Sequence, residues 1–386
     1  MPLVKKTNGR AGRYVQQPAG YKAFIPAPLP PRPSVQIDEE MQDLLSKADM
    51  ALGRLDGSIQ TLPNPDLFVF MYVRKEAVLS SQIEGTQASI NDLIKAEAEI
   101  FDAERPGDVG EVINYVAAMN YGLERLKAIP LSRRLIEEIH SRLLKNVRGE
   151  KMQPGEFRRS QNWIGPAGST ITDATFIPPP FQDAEEAVSD LEKFLHGEEY
   201  MPPLIRIGLA HAQFETIHPF LEGNGRIGRL LITFFLCNKK ILQTPVLYIS
   251  YYFKQHREEY YSRLQRIRDR GEWEEWLKFF IQGVFEVANQ ATETAKQIVA
   301  LRENHRLLIA ERFGNHAGKA MRLHERLFER PTVTVNDVRD LLHISFPNAN
   351  ALVDKFVDAG LLVETTGQAR NRVFMYELYV NLFSNI

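Results

Sequence analysis

The 386-residue chain has one cysteine, Cys237, and a net charge of only −2. A single cysteine excludes an internal disulfide, and its place just after the apolar run 230–236 suggests a small buried packing residue. No stretch approaches the roughly 20 apolar residues that a membrane span needs, and the start lacks the apolar segment of an export signal. The chain is expected to stay off membranes and to be cytoplasmic. Near-neutral charge gives no global field for nucleic acid or anionic lipid. Internal repeats and long low-complexity runs are absent, and the length suits two or three domains. Proline is concentrated at the start, from Pro2 to Pro33, beside the basic pair Lys5-Lys6. Residues 1–35 are expected to form an extended Pro-rich arm wrapped on the body.

The chain does hold a twelve-residue string, His218-Pro219-Phe220-Leu221-Glu222-Gly223-Asn224-Gly225-Arg226-Ile227-Gly228-Arg229. Apolar residues at helical spacing over 203–216 and again over 230–236 place it on a loop that opens a helix. Gly223 and Gly225 permit backbone conformations closed to other residues, and they let anionic oxygens approach main-chain N–H groups. The N-terminus of the helix starting near Arg226 adds positive potential, worth about 0.3–1 kcal/mol per favourable charge. Arg226 and Arg229, three residues apart, share one face of the first turn, where guanidinium forks can hold phosphate oxygens. Glu222 is a hard oxygen ligand suited to Mg²⁺, and His218 can accept a proton near neutral pH. Phe220, Leu221 and Ile227 read as packing residues. Taken singly, a His before Pro ends a helix and Gly-Asn-Gly makes a turn. Together these residues point to a polyphosphate site.

The string fits the pattern His-x-Phe-x-Asp/Glu-Gly-Asn-Gly-Arg-x-x-Arg and so resembles the Fic (Fido) family. Members of that family mostly transfer AMP from ATP to a Ser, Thr or Tyr hydroxyl of a protein, releasing pyrophosphate. The resemblance implies that His218 is the general base and that Glu222 holds Mg²⁺. Gly223, Asn224 and Gly225 would cradle the α- and β-phosphates, and Arg226 and Arg229 would take the rest of the triphosphate. Ile227 and Gly228 fall in the same ATP-binding stretch.

Upstream, Ser80-Ser81-Gln82-Ile83-Glu84-Gly85 closes an apolar segment, 67–79, that reads as a mostly buried helix with Gly85 as its cap. It also fits the Fic pattern Ser/Thr-x-x-x-Glu-Gly/Asn of an autoinhibitory helix. That resemblance implies that Ser80, Glu84 and Gly85 form a brake, with Glu84 on Arg229 in a bidentate pair where the γ-phosphate would go. Between 154 and 181, two short extended runs flank a Gly/Pro/Ser/Thr cluster, the signature of a hairpin. In the family a similar hairpin, the flap, docks the target segment by strand addition, which would bring Thr175 and Phe176 to the nucleotide. Tyr260 and Tyr261, in the helix opened by Glu258, match a family tyrosine pair bordering the adenine. Residues 241–252 are β-prone and read as an extended connection.

After the helical stretch 273–302 the pattern changes. Helices are expected at 321–328, at 334–342 with a threonine cap, and at 345–360. Two strands then bracket a turn at Gly367. That order suggests a winged helix-turn-helix. Its third helix offers Lys355 against Asp354 and Asp358, and the hairpin offers Arg370 and Arg372. A protein-contact or dimerisation role is favoured over DNA binding.

The expected fold is mainly α: a Fic-type helical core with a small β-hairpin flap, plus a C-terminal winged helix-turn-helix domain. Its expected parts are the arm at 1–35, a helical region with the inhibitory motif at 36–110, a catalytic core at 111–295 and the winged-helix domain at 305–386. The expected function is a protein adenylyltransferase using ATP and Mg²⁺ on protein hydroxyls, its own among them, as a homodimer. Alternatives are removal of AMP at the same site, a kinase-like variant disfavoured by the retained Gly225, and a nucleotide-sensing transcriptional regulator, for which His218 would be superfluous.

Overall fold

The computed structural model describes residues 9–60, 65–98, 107–166, 168–198, 200–368 and 370–384; of residues 66–68 and 384 only the backbone is described. Pro2 and Lys5-Lys6 of the arm, Ala167 of the flap and the Leu67 side chain lie outside the described residues.

The arm wraps the body, but it is not uniformly extended. β1 (Gly12–Gln16) and β2 (Lys22–Pro26) form an antiparallel hairpin in register from Gly12↔Pro26 to Gln16↔Lys22. The alternating Tyr-Val and Ala-Phe-Ile segments between the prolines supply strand-forming side chains, a signal that overall proline content obscures. Phe24 is buried, and its N–H donates to the Ile177 carbonyl at 2.9 Å. Arg10 grips Glu274 with both terminal nitrogens, at 2.6 and 2.8 Å.

The body is a stack of helices: α1 (Glu39–Gln60), α2 (Pro65–Ile83), α3 (Ile90–Glu97), α4 (Val109–Arg125), α5 (Arg133–Leu143), α6 (Phe181–His196), α7 (Pro203–Ile217), α8 (Asn224–Asn238), α9 (Ser250–Gln255), α10 (Arg257–Arg270) and α11 (Trp273–Arg312). Their starts are written in the sequence. Ser89 and Asp92 make a capping box on α3, and the Ser132 hydroxyl caps α5. α7 is buried on every side from Leu204 to Ile217, its apolar residues and its polar Arg206, His211, Gln213, Glu215 and Thr216 alike, and it packs against α6, α8 and α11. α1 lies along α11.

Three expectations are corrected here. The stretch 241–252 is not extended throughout: Val246 to Ile249 are buried in the core and α9 begins at Ser250, so their apolar character reflects packing. The helix expected over 273–302 continues to Arg312, because no proline interrupts it, so no loop separates residues 295 and 305. Cys237 is only half-buried.

Beyond α11 come α12 (Ala317–Glu329), β3 (Thr332–Thr334), α13 (Val335–Leu342), α14 (Phe346–Asp358), β4 (Val363–Glu364), β5 (Val373–Met375) and α15 (Glu377–Ser384). The strand order is β3-β5-β4, all antiparallel. Thr334 caps α13 in a box with Asp337. β3 and α15 add to the elements expected from sequence. α15 packs on α2, α3 and α11, with Phe383 edge-on to Tyr72 at 5.3 Å, so this unit rests directly on α2.

Candidate active site

α7 ends at His218, whose backbone takes the left-handed conformation (φ 50°) and turns the chain out of the core. The loop that follows is fixed almost entirely through its carbonyls. Arg158, buried, donates Nε to the His218 carbonyl (2.9 Å) and Nη2 to that of Pro179 (2.6 Å), while its N–H bonds the Pro219 carbonyl (2.9 Å). Asn162 Nδ2 donates to the Phe220 carbonyl (2.9 Å), as does Asn224 Nδ2 (2.8 Å). The Asn224 amide oxygen takes the Phe220 N–H (2.8 Å). His140 accepts the Gly155 N–H at Nδ1 (2.9 Å), which leaves Nε2 as the donor to the Glu222 carbonyl (2.9 Å), and its ring stacks 3.7 Å from that of Phe220. With the carbonyls turned into the scaffold, the N–H groups that open α8 at Asn224 and Gly225 are left for an anion.

The two glycines act differently. Gly223 has φ 80°, a conformation costly for a side chain. Gly225 is ordinary helical backbone, and what it provides is space: a Cβ there would overlap the Glu84 carboxylate. Gly228 likewise makes room for the Glu215 carboxylate.

The opening of α8 faces a cavity of about 580 Å³. Its walls include His218, Glu222, Gly223, Asn224, Gly225 and Arg229 from the loop and helix, Glu84 from the segment after α2, Thr175 and Phe176 from the flap, and Tyr260 and Tyr261 from α10. Ser80 and Gly85 stand just behind. Arg229, buried, donates Nε to the Ser80 hydroxyl (2.8 Å) and Nη2 to both the Ser80 carbonyl (3.0 Å) and Glu84 Oε1 (2.7 Å). The contact expected between Glu84 and Arg229 is present, but through one carboxylate oxygen, because Ser80 takes Nε. Gly85, at φ 98°, turns the chain away from the site.

Several expected positions lie elsewhere. Arg226 is fully buried and pairs with Glu111 (2.9 Å) and more loosely with Glu222 (3.4 Å), so it does not line the cavity. Ile227 packs in the core and Gly228 serves Glu215. Leu221, read as packing, lines the cavity. Tyr260 is buried and its hydroxyl bonds His211 Nε2 (2.9 Å), so only its ring is available, whereas Tyr261 is 40% exposed. The flap is a single antiparallel bridge, Ile164↔Phe176, rather than a longer hairpin.

The electrostatics leave His218 deprotonated beside an anion site. Burial, reinforced by Arg158 and Arg268, pulls His218 down to about 3, so its imidazole is neutral throughout the physiological range. Its Nδ1 is buried without a hydrogen-bond partner. Burial alone would raise Glu84, but the charge and hydrogen bond of Arg229, aided by the charge of Arg226, hold it below the usual carboxylate range. Burial would lower Arg229, and Glu84, Tyr260 and Glu215 outweigh it and raise the guanidinium. The Glu84–Arg229 pair is therefore fully charged at neutral pH.

Two models of one family match the sequence: Fic/DOC family N-terminal over residues 42–124 and Fic/DOC family over 130–236. The chain belongs to the Fic/DOC family. Relatives named Protein adenylyltransferase Fic include one from Culex quinquefasciatus, 31% identical over 182 residues, and one from Drosophila yakuba, 26% identical over 250. These matches take in 46% and 63% of this chain but only 33% and 46% of the relatives, so the chain spans less than half their length. A solved Fic family protein from Desulfovibrio desulfuricans G20 shares the fold at a TM-score of 0.58 and 18% identity, over 89% of this chain and 97% of that one. The Fic loop at 218–229 closes the second of the matched regions, and Glu84 lies within the first.

Residues that build this Fic site without a sequence signal are Glu111, His140, Arg158, Asn162, Glu215 and Arg268. Each is a charged or polar residue in an otherwise ordinary helix or loop, and only the fold brings it to the loop.

Proposed function

We propose that the protein is an adenylyltransferase that moves AMP from ATP to a Ser, Thr or Tyr hydroxyl of a protein and is held in check by its own Glu84. One observation carries the reading: a neutral, partly exposed histidine stands at the rim of a helix N-terminus whose free N–H groups and arginine form a polyphosphate cradle. His218 would accept the proton of the incoming hydroxyl as its oxygen attacks the α-phosphorus and the bond to pyrophosphate breaks. The first turn of α8 would hold the phosphate oxygens. Strand-like docking of the target on the flap near Ile164 would set the direction of approach.

Among the described residues no three or more side chains are grouped to hold a metal ion. The donor set therefore does not suit a resident metal. It suits Mg²⁺ arriving with the nucleotide: one carboxylate, the half-exposed Glu222, with phosphate oxygens and water completing the shell. Bound there, the ion would neutralise phosphate charge. Glu84 opposes this arrangement, because its oxygen occupies the space above Gly225 and takes Arg229. The C-terminal unit is read as a winged helix used for protein contact. Arg372, one of its two hairpin cations, is drawn to Asn350 (3.0 Å) and Asp354 (3.8 Å) of α14 rather than left free for phosphate.

The test is tandem mass spectrometry on the Glu84→Gly protein incubated with ATP, Mg²⁺ and a cell extract. Adenylylated Ser, Thr or Tyr peptides are expected, and none with His218→Ala. Their absence from both reactions would refute the assignment.

A further inference from the structure

Glu215 sits in the last turn of α7 and borders the cavity, yet the residue is only 6% exposed and Oε1 is buried without a hydrogen-bond partner. The neighbouring cations do not satisfy it by hydrogen bonding. Arg268 donates to the main-chain carbonyl of Glu215 (3.1 Å), and the hydrogen bonds of Arg229 go to Ser80 and Glu84. Tyr260, close enough to feel its charge, has its hydroxyl on His211. Gly228 preserves the space the carboxylate occupies. A buried acceptor without a donor weakens folding and marks a place where a ligand is expected to donate. Burial raises this carboxyl to about 7, so at pH 8 it is an anionic acceptor, which phosphate, itself an anionic acceptor, cannot satisfy. In ATP the donors are the ribose hydroxyls and the adenine amino group, the half of the molecule that belongs beside Tyr260 and Tyr261.

We propose that Glu215 is the acceptor that reads the nucleoside half of ATP, taking a hydrogen bond from a ribose hydroxyl or from the adenine amino group. The inference rests on the reading of this cavity as an ATP site. Glu215 then fixes which nucleotides enter, separately from the phosphate cradle at α8.

The test uses the full chain carrying Glu84→Gly and His218→Ala, which opens the site and blocks turnover. ATP, 2′-deoxy-ATP, 3′-deoxy-ATP and the triphosphate of purine riboside, which lacks the amino group, are titrated calorimetrically. At pH 8, where the carboxylate is ionised, one analogue should bind about 10- to 150-fold more weakly than ATP, the range for a lost hydrogen bond to a charged group. Adding Glu215→Leu, which fills the volume without an acceptor, should erase that one ratio and leave the others unchanged. Glu215→Gln, which keeps an acceptor oxygen, should retain part of it and provides the same comparison if the leucine variant does not melt cooperatively. Equal loss for all four ligands, or undiminished discrimination in the Glu215 variants, overturns the inference alone. Failure of the Glu84→Gly, His218→Ala protein to bind ATP overturns the ATP reading itself, and the inference with it.

Discussion

Replacing Glu84 by glycine removes the only carboxylate among the described residues that hydrogen-bonds Arg229 and clears the space over Gly225. The guanidinium should stay where it is, because Ser80 holds it through both its hydroxyl and its carbonyl. What is lost is one charge-assisted hydrogen bond at 2.7 Å, worth about 1.5–3 kcal/mol. If ATP must displace that bond to reach Arg229, the variant gains the same amount, about 10- to 150-fold in effective affinity. The steric overlap at Gly225 can only add to this. Initial rates of label transfer from α-labelled ATP, measured well below saturation in wild type, Glu84→Gly and Glu84→Gln, would read the effect. Glutamine keeps a hydrogen bond but no charge and should fall between the two. Because Arg229 is buried and Glu84 largely so, the gain should persist at high salt. A Glu84→Gly protein that melts like wild type yet transfers no faster would refute the reasoning.

Three further outcomes follow from the geometry. Glu111→Ala leaves the fully buried Arg226 only its looser contact with Glu222 and should destabilise the protein by about 1.5–3 kcal/mol in denaturant titration. His140→Phe keeps the stack on Phe220 but removes the bonds to Gly155 and Glu222, and it should slow transfer through a loosened loop with a stability loss of about 1–3 kcal/mol. Burial raises Glu76 to about 7, so the folded protein binds that proton more tightly than the unfolded chain and loses this stability as pH rises from about 4.5 to 7. Glu76→Gln should therefore lose less stability than wild type between pH 5 and pH 8, by up to about 3 kcal/mol, in melts recorded across that range.

The loop was legible because its chemistry is local: twelve consecutive residues carry the proposed base, the proposed Mg²⁺ carboxylate and the proposed anion nest. Glu84 was legible only as a pattern, and the structure alone shows Ser80 sharing Arg229 with it. Arg226 was misassigned because helical spacing puts it on the face of Arg229, while the residue that claims it, Glu111, lies 115 positions away in α4. Glu215 was hidden for a related reason. It sits in a helix so apolar that one more polar position near its end carries no pattern. The hairpin at β1–β2 was masked by its flanking prolines, and no element was read after the hairpin around Gly367, where α15 lies.

The central claim is that the α-phosphoryl group moves, with its adenosine, to a protein hydroxyl. Parallel reactions of the Glu84→Gly protein with α-labelled and γ-labelled ATP, resolved on a denaturing gel, test it directly. Protein-bound label from the α-position alone, absent with His218→Ala, is the predicted result. Label from the γ-position, or α-label that survives loss of His218, would contradict it.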